Sequence, residues 1–197
     1  MNVVAGFTAE ASEYFNNNSS GKGFDIESLG YWNMGLANSS LLSVASGGNH
    51  SAIASWLGRV NYAYKGKYLA SVSFRADGSS KFAKNNKWGY FPSAALGWRI
   101  SEEDFMKDIS WIQNLKLRAS YGETGSQAIT AYQSLASFST TSYVLNGSSA
   151  VALVPGRVPN PDLKWETTKQ TDIGIDLSVL GGRISLVADY YLSLIHI

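Results

Sequence analysis

The sequence predicts an all-β chain, an antiparallel transmembrane β-barrel segment of about seven strands that forms part of a larger barrel. Three observations predict it. Apolar and polar residues alternate with period two in run after run, which puts one kind on each face of a strand. Runs such as 67–77 and 165–179 exceed the ~5–6 residues of ordinary globular strands and reach the ~9–11 that a tilted strand needs to cross a bilayer. The connections between runs are alternately long and short, the layout in which long loops are extracellular and short turns periplasmic.

Composition agrees. Hydrophobic residues make up 45% of the 197, aromatics 13% and charged residues only 16%, against about 25% charged in soluble domains. A net charge of +1 gives no reason to expect nucleic acid as a partner. Cysteine is absent, which excludes disulfides and thiolate metal sites. No apolar run reaches the ~18 residues of a membrane helix. The first residues, Met1 to Phe7, have neither a basic region nor an apolar core, so a leader is expected to lie elsewhere in a longer protein.

The strands follow in order. A weak one at 2–10 sets Val3, Ala5, Phe7 and Ala9 on one side. After a long segment, 11–52, rich in Asn, Ser and Gly, comes a strand with Ala54, Trp56, Val60, Tyr62 and Tyr64 on its apolar face. Gly66 permits a tight turn into 67–77, where Tyr68, Ala70, Val72, Phe74 and Ala76 oppose Lys67, Ser71, Ser73, Arg75 and Asp77, with Leu69 the exception. A polar loop at 78–88 leads to 89–100, with Tyr90, Ala94, Leu96, Trp98 and Ile100 together. In the connection 101–114, Ser101 before Glu102, Glu103 and Asp104 predicts an N-cap and one helical turn. Leu115, Leu117, Ala119 and Tyr121 then oppose Lys116, Arg118 and Ser120. A second long segment, 125–164, precedes 165–179, where Ile173, Ile175 and Leu177 oppose Asp172 and Asp176. Gly181-Gly182 turns the chain into 184–190.

A soluble β-sandwich, as a surface binding module or adhesin, also alternates in this way and is the alternative reading. Aromatic placement favours the membrane. Tyr62, Tyr64 and Tyr68 crowd one strand end, and Trp88, Tyr90 and Phe91 the other, as interfacial girdles would. In a barrel the charged residues Arg59, Arg75, Asp77, Lys116, Arg118, Asp172, Asp176 and Asp189 must line the lumen, because Arg or Lys facing lipid at mid-depth costs ~2–4 kcal/mol. Tyr31, Trp32, Tyr132 and Tyr143 lie in the long segments, where a ring could stack on a sugar.

Four stretches carry a resemblance: Phe74 to Phe82 (FRADGSSKF), Trp88 to Ile100 (WGYFPSAALGWRI), Leu115 to Gly125 (LKLRASYGETG) and Asn160 to Thr168 (NPDLKWETT). In this order they resemble the mid-barrel of SusC/RagA-type TonB-dependent outer-membrane receptors, over most of 53–191. The resemblance implies a barrel of about 22 strands in the bacterial outer membrane, of which residues 1–191 are one part. It implies active import of glycans or peptides, energised by TonB and assisted by a SusD-like surface lipoprotein. The family's plug and TonB-contacting segment have no counterpart in the sequence. The tail, 192–197, loses the alternation and reads as a foreign addition.

Enzymatic chemistry finds no support. His50 and His196 have no ligand-spaced neighbours, so no metal is expected, nor any cofactor. Gly122 to Ser126 lacks the Lys of a phosphate loop, and no nucleophile motif occurs. A passive porin is the remaining transport alternative.

Overall fold

The computed structural model describes residues 1–26, 28 and 32–196. It contains β1 (Asn2–Ser20), β2 (Ser43–Tyr64), β3 (Tyr68–Ser79), β4 (Trp88–Arg99), β5 (Ile112–Ser126), β6 (Ser137–Leu145), β7 (Ser148–Arg157), β8 (Glu166–Val179) and β9 (Ile184–His196). Seven of these form one sheet in the order β1-β2-β3-β4-β5-β8-β9, and β6-β7 form a separate hairpin. The ladders that join β2, β3, β4, β5, β8 and β9 are all antiparallel. Each strand lies beside its predecessor in sequence, apart from the hairpin inserted between β5 and β8.

Connections fall into two sets. The segments 65–67, 100–111 and 180–183 join strands at one end of the sheet, and 80–87 and 127–165 join them at the other. At the short-turn end Lys65, Gly66, Leu180, Gly181 and Gly182 all adopt positive φ. The glycines do so at no steric cost, which is why they punctuate the sequence there. The connection 100–111 stays compact by winding into two 3-10 turns, Ile100–Glu102 and Asp104–Met106. The expected helical turn therefore exists, but Ser101 does not cap it. Ser101 sits inside the first turn, and its buried hydroxyl has no hydrogen-bond partner among the described residues.

The chain divides into two compact units, residues 1–10 with 52–197, and residues 11–51. The second holds the later part of β1, the first part of β2 and two 3-10 turns, Met34–Leu36 and Ser39–Leu41. Asn38 caps the latter by accepting from Ser40 N at 3.0 Å. The long segment 11–52 contains strand at both its ends, 11–20 and 43–52. Nearly all of these positions are exposed, so no core imposes a period on the sequence. The hairpin β6-β7 lies within the other long segment, 125–164.

Few residues are buried. Phe82, Phe91 and Trp165 form the core cluster, with Ile53, Ile129 and Leu163 packed against it. The strand at 184–190 is longer than expected: β9 runs on through the tail and pairs as far as Thr167↔His196.

Candidate functional site

Register decides which side chains share a face, because residues directly opposite one another point the same way. Arg59 opposes Ser73, Ser73 opposes Ser93, Ser93 opposes Gly122, and Gly122 opposes Gln170. Counting in twos from that row places Arg59, Arg75, Asp77, Lys116, Arg118, Asp172, Asp176 and Asp189 on one face of the sheet. Leu69 is on this face too, as its position in the alternation requires.

Two ion-pair groups organise the charged face. On β3, Arg75 Nε donates to both oxygens of Asp77, at 2.7 and 2.8 Å, and Nη2 reaches Ser55 Oγ at 3.2 Å. Asp77 is buried, so this guanidinium supplies its compensating charge. Across β5, β8 and β9, Arg118 pairs with Asp176 at 3.0 Å and Asp189 at 2.8 Å, while Lys116 lies 3.7 Å from Asp176. Arg118, Gly174 and Asp189 stand in one row over three strands. A Cβ on Gly174 would sit on the Asp189 carboxylate and within 2.8 Å of Arg118 Nη2. The missing side chain is what lets Arg118 cross β8. Arg59 and Asp172 share the face without an ion pair among the described residues.

The opposite face carries the aromatics. Tyr64, Tyr68 and Trp98 stack in series at the short-turn end, with centroids 6.4 and 6.5 Å apart. Near the other end Phe74 stacks on Tyr90 at 6.1 Å, Phe7 meets Trp56 at 4.6 Å, and Trp88 covers bare Gly78. Between these groups lie Ala70, Val72, Ala94, Leu96 and Ala119.

Glu103 fastens the short-turn end. It accepts from Lys67 Nζ at 2.9 Å, Tyr68 Oη at 2.7 Å and Trp98 Nε1 at 3.0 Å. Those three bonds favour the ionised form, led by Tyr68, and hold the carboxyl down to about 2. Lys67 is raised in turn, chiefly by its bond to Glu103, and Asp104 is lowered by Lys107. In the sequence Glu103 reads as part of a helix start; its bonds to Lys67 and Tyr68 are hidden there because those partners lie 36 and 35 residues away, on the neighbouring turn and strand.

At the long-connection end the aromatic cluster gathers three segments. Phe82 lies 4.9 Å and Phe91 5.4 Å from the Trp165 ring, and Trp165 Nε1 donates to Lys87 O at 2.9 Å. Ser79 Oγ bonds Gln127 Oε1 at 2.6 Å, and Lys81 Nζ reaches Gln127 O at 3.4 Å. Phe91, expected in a girdle with Tyr90, is corrected to the charged-face side, where one residue's difference in register puts it. Gly89 and Gly125 leave room for its ring.

Of the loop aromatics, Tyr143 lies on β6 and is exposed, as is Trp32. Tyr132 is half-exposed in a positive-φ turn whose carbonyl accepts from Arg157. Tyr31 lies outside the described residues. No group of three potential metal ligands occurs among the described residues.

Comparisons with known proteins give a consistent result. The family model described as "TonB dependent receptor-like, beta-barrel" matches residues 3–195. The chain is 43% identical over 143 residues to TonB-dependent receptor P3 of Formosa agariphila, covering 73% of this chain and 14% of that one. It is 40% identical over 152 residues to TonB-dependent receptor SusC of Bacteroides thetaiotaomicron, covering 72% and 14%. The structure of the RagAB peptide transporter matches with a TM-score of 0.81 at 27% identity, over 97% of this chain and 21% of that chain. The chain thus spans about a seventh of the length of these curated relatives, which are receptors and not enzymes.

Proposed function

Because the chain belongs to the TonB-dependent receptor family, in its SusC/RagA-type branch, we propose that it forms part of the wall of a bacterial outer-membrane transporter that imports glycans or peptides. The aromatic face meets lipid, and the charged face lines the lumen. The long connections lie outside the cell and the short turns in the periplasm. TonB supplies the energy through a part of the receptor beyond this barrel segment. A SusD-like surface lipoprotein meets the long-connection end and captures substrate with it. The neighbour described as a RagAB peptide transporter supports the import reading, and so does the relative named SusC.

The observation that carries the reading is the sorting of charge and aromatics onto opposite faces. Eight ionisable side chains share one face, while Tyr68, Val72, Phe74, Tyr90, Leu96 and Ile173 are exposed on the other. Lipid tolerates the second face and rejects the first. In the lumen the charges pair among themselves, Arg118 with Asp176 and Asp189, and so keep a wet wall near neutrality. Rings of the long segments, Tyr31, Trp32, Tyr132 and Tyr143, stack on the substrate where it is a glycan.

The chain has no cysteine of its own, so an introduced cysteine is the one thiol in this segment, and the receptor without it serves as the control. In whole cells, a small charged thiol reagent should modify Ser120→Cys on the charged face and spare Leu96→Cys on the other. Equal modification of both would remove the lipid assignment. Uptake of labelled oligosaccharides or oligopeptides should stop when TonB is deleted; uptake that persists would point to a passive pore.

A further inference from the structure

On the charged face, two adjoining rows of the sheet consist mostly of small neutral side chains. One row runs Arg59, Ser73, Ser93, Gly122 and Gln170 across β2, β3, β4, β5 and β8. The next runs Asn61, Ser71, Ala95, Ser120 and Asp172 across the same strands. A cavity of about 620 Å³ follows this second row and is lined by all of its members. Ser71 Oγ bonds Asn61 Oδ1 at 2.8 Å, and the Ser73 and Ser93 hydroxyls share a bond of 2.6 Å. Each hydroxyl keeps further bonding capacity, as do the Asn61 and Gln170 amides.

Unpaired charge stands at the two ends of this trough. Arg59 closes it on β2 and Asp172 on β8, and neither has an ion pair among the described residues. The cations beside them are engaged. Arg75, in the row on one side, is held by Asp77, and Arg118, in the row on the other, by Asp176 and Asp189. Lys116, which also lines the cavity, faces Asp176 at 3.7 Å. At ~4.8 Å per strand spacing, Arg59 and Asp172 lie about 19 Å apart across the sheet.

We propose that this trough binds a short peptide with both termini free, its carboxylate at Arg59 and its ammonium at Asp172. The proposal rests on the import reading above and deepens it, choosing peptides over glycans for this wall. Charge selects the occupant. A neutral glycan leaves both ions without a partner. An acidic glycan pairs with Arg59 and is repelled by Asp172, whereas a zwitterion pairs with both. Spacing sets the length: an extended chain covers ~3.3–3.6 Å per residue, so about five residues span the gap. Between the ends, small side chains let a backbone lie close, and their hydroxyls and amides meet its N–H and C=O groups.

Full-length receptor containing this segment can be titrated by calorimetry with pentaalanine, with its acetylated, amidated and doubly blocked forms, and with maltopentaose. Pentaalanine with free termini should bind most tightly. Blocking either end should weaken it about tenfold, the worth of one charge-assisted contact at a partly exposed site. Arg59→Gln should weaken the free peptide about tenfold and leave the amidated one unchanged. Asp172→Asn should weaken the free peptide equally and spare the acetylated one. Losses of the same size for every form would mark a merely structural role and overturn the proposal. So would equal binding of the free and doubly blocked peptides, or tighter binding of maltopentaose, and TonB-dependent uptake of maltopentaose would then leave the import reading standing. Peptide uptake that persists without TonB would overturn the import reading, and the trough's role with it.

Discussion

Two residues show how single side chains set this wall. Gly174 is the gap through which Arg118 reaches Asp189. Gly174→Ala should lower stability by about 1–3 kcal/mol, the usual range for overpacking, read by urea unfolding of the receptor in lipid vesicles. Asp189→Ala in the same molecule should relieve part of that loss, since the added methyl then has room. Glu103 makes a different prediction, one of pH. Its carboxyl falls from 4.5 to about 2 on folding through bonds from Tyr68, Lys67 and Trp98. A carboxylate depressed in this way stabilises fully above its unfolded value and loses that contribution as pH falls through the folded one. The contribution should be constant above about pH 5 and fade between about 4.5 and 2. Glu103→Gln should flatten that part of the stability profile, and an unchanged profile would dismiss the network. The Gly174 gap was not legible in the sequence, because a lone glycine in a strand names no partner.

At the scale of elements, period and turn chemistry made β3, β4, β5 and β8 readable almost to the residue. Their aromatic faces are largely exposed and carry little charge, the Glu123–Lys169 pair being the exception, so the pattern stays nearly undiluted. The outer stretches of β1 and β2, and the hairpin β6-β7, escaped for the converse reason. Both faces of these strands are exposed, so no buried side imposes a period on their sequence. The cluster of Phe82, Phe91 and Trp165 escaped because its members come from three connections and strand ends. Gly89 and Gly125 leave room for the Phe91 ring, but a bare glycine in a strand names no partner. Trp165→Ala should cost about 3–5 kcal/mol and free the connections it ties. Hydrogen exchange should rise in 80–87 and 160–165 and stay unchanged at 65–67. A uniform rise would mean that the cluster supports the whole sheet.

For the whole molecule, the sequence yielded the fold class and the family because both rest on surface chemistry repeated over many strands. It could not yield the ion-pair geometry, which depends on which strands become neighbours. The aromatic rows have a further consequence. Tyr68 pairs with Trp98 and Gly78 with Trp88, so the two rows are set ten positions apart on β3. At ~3.3 Å per residue and a tilt of ~40°, that separation projects to roughly 25 Å along the membrane normal. The wall therefore acts as a gauge of bilayer thickness. It should insert most completely into vesicles of short-chain lipids and progressively less into thicker ones, where the tyrosine and tryptophan rings would be dragged below the headgroups. In the membrane reading, the spacing of its rings matches this wall to a thin membrane, whatever signal delivers the protein there.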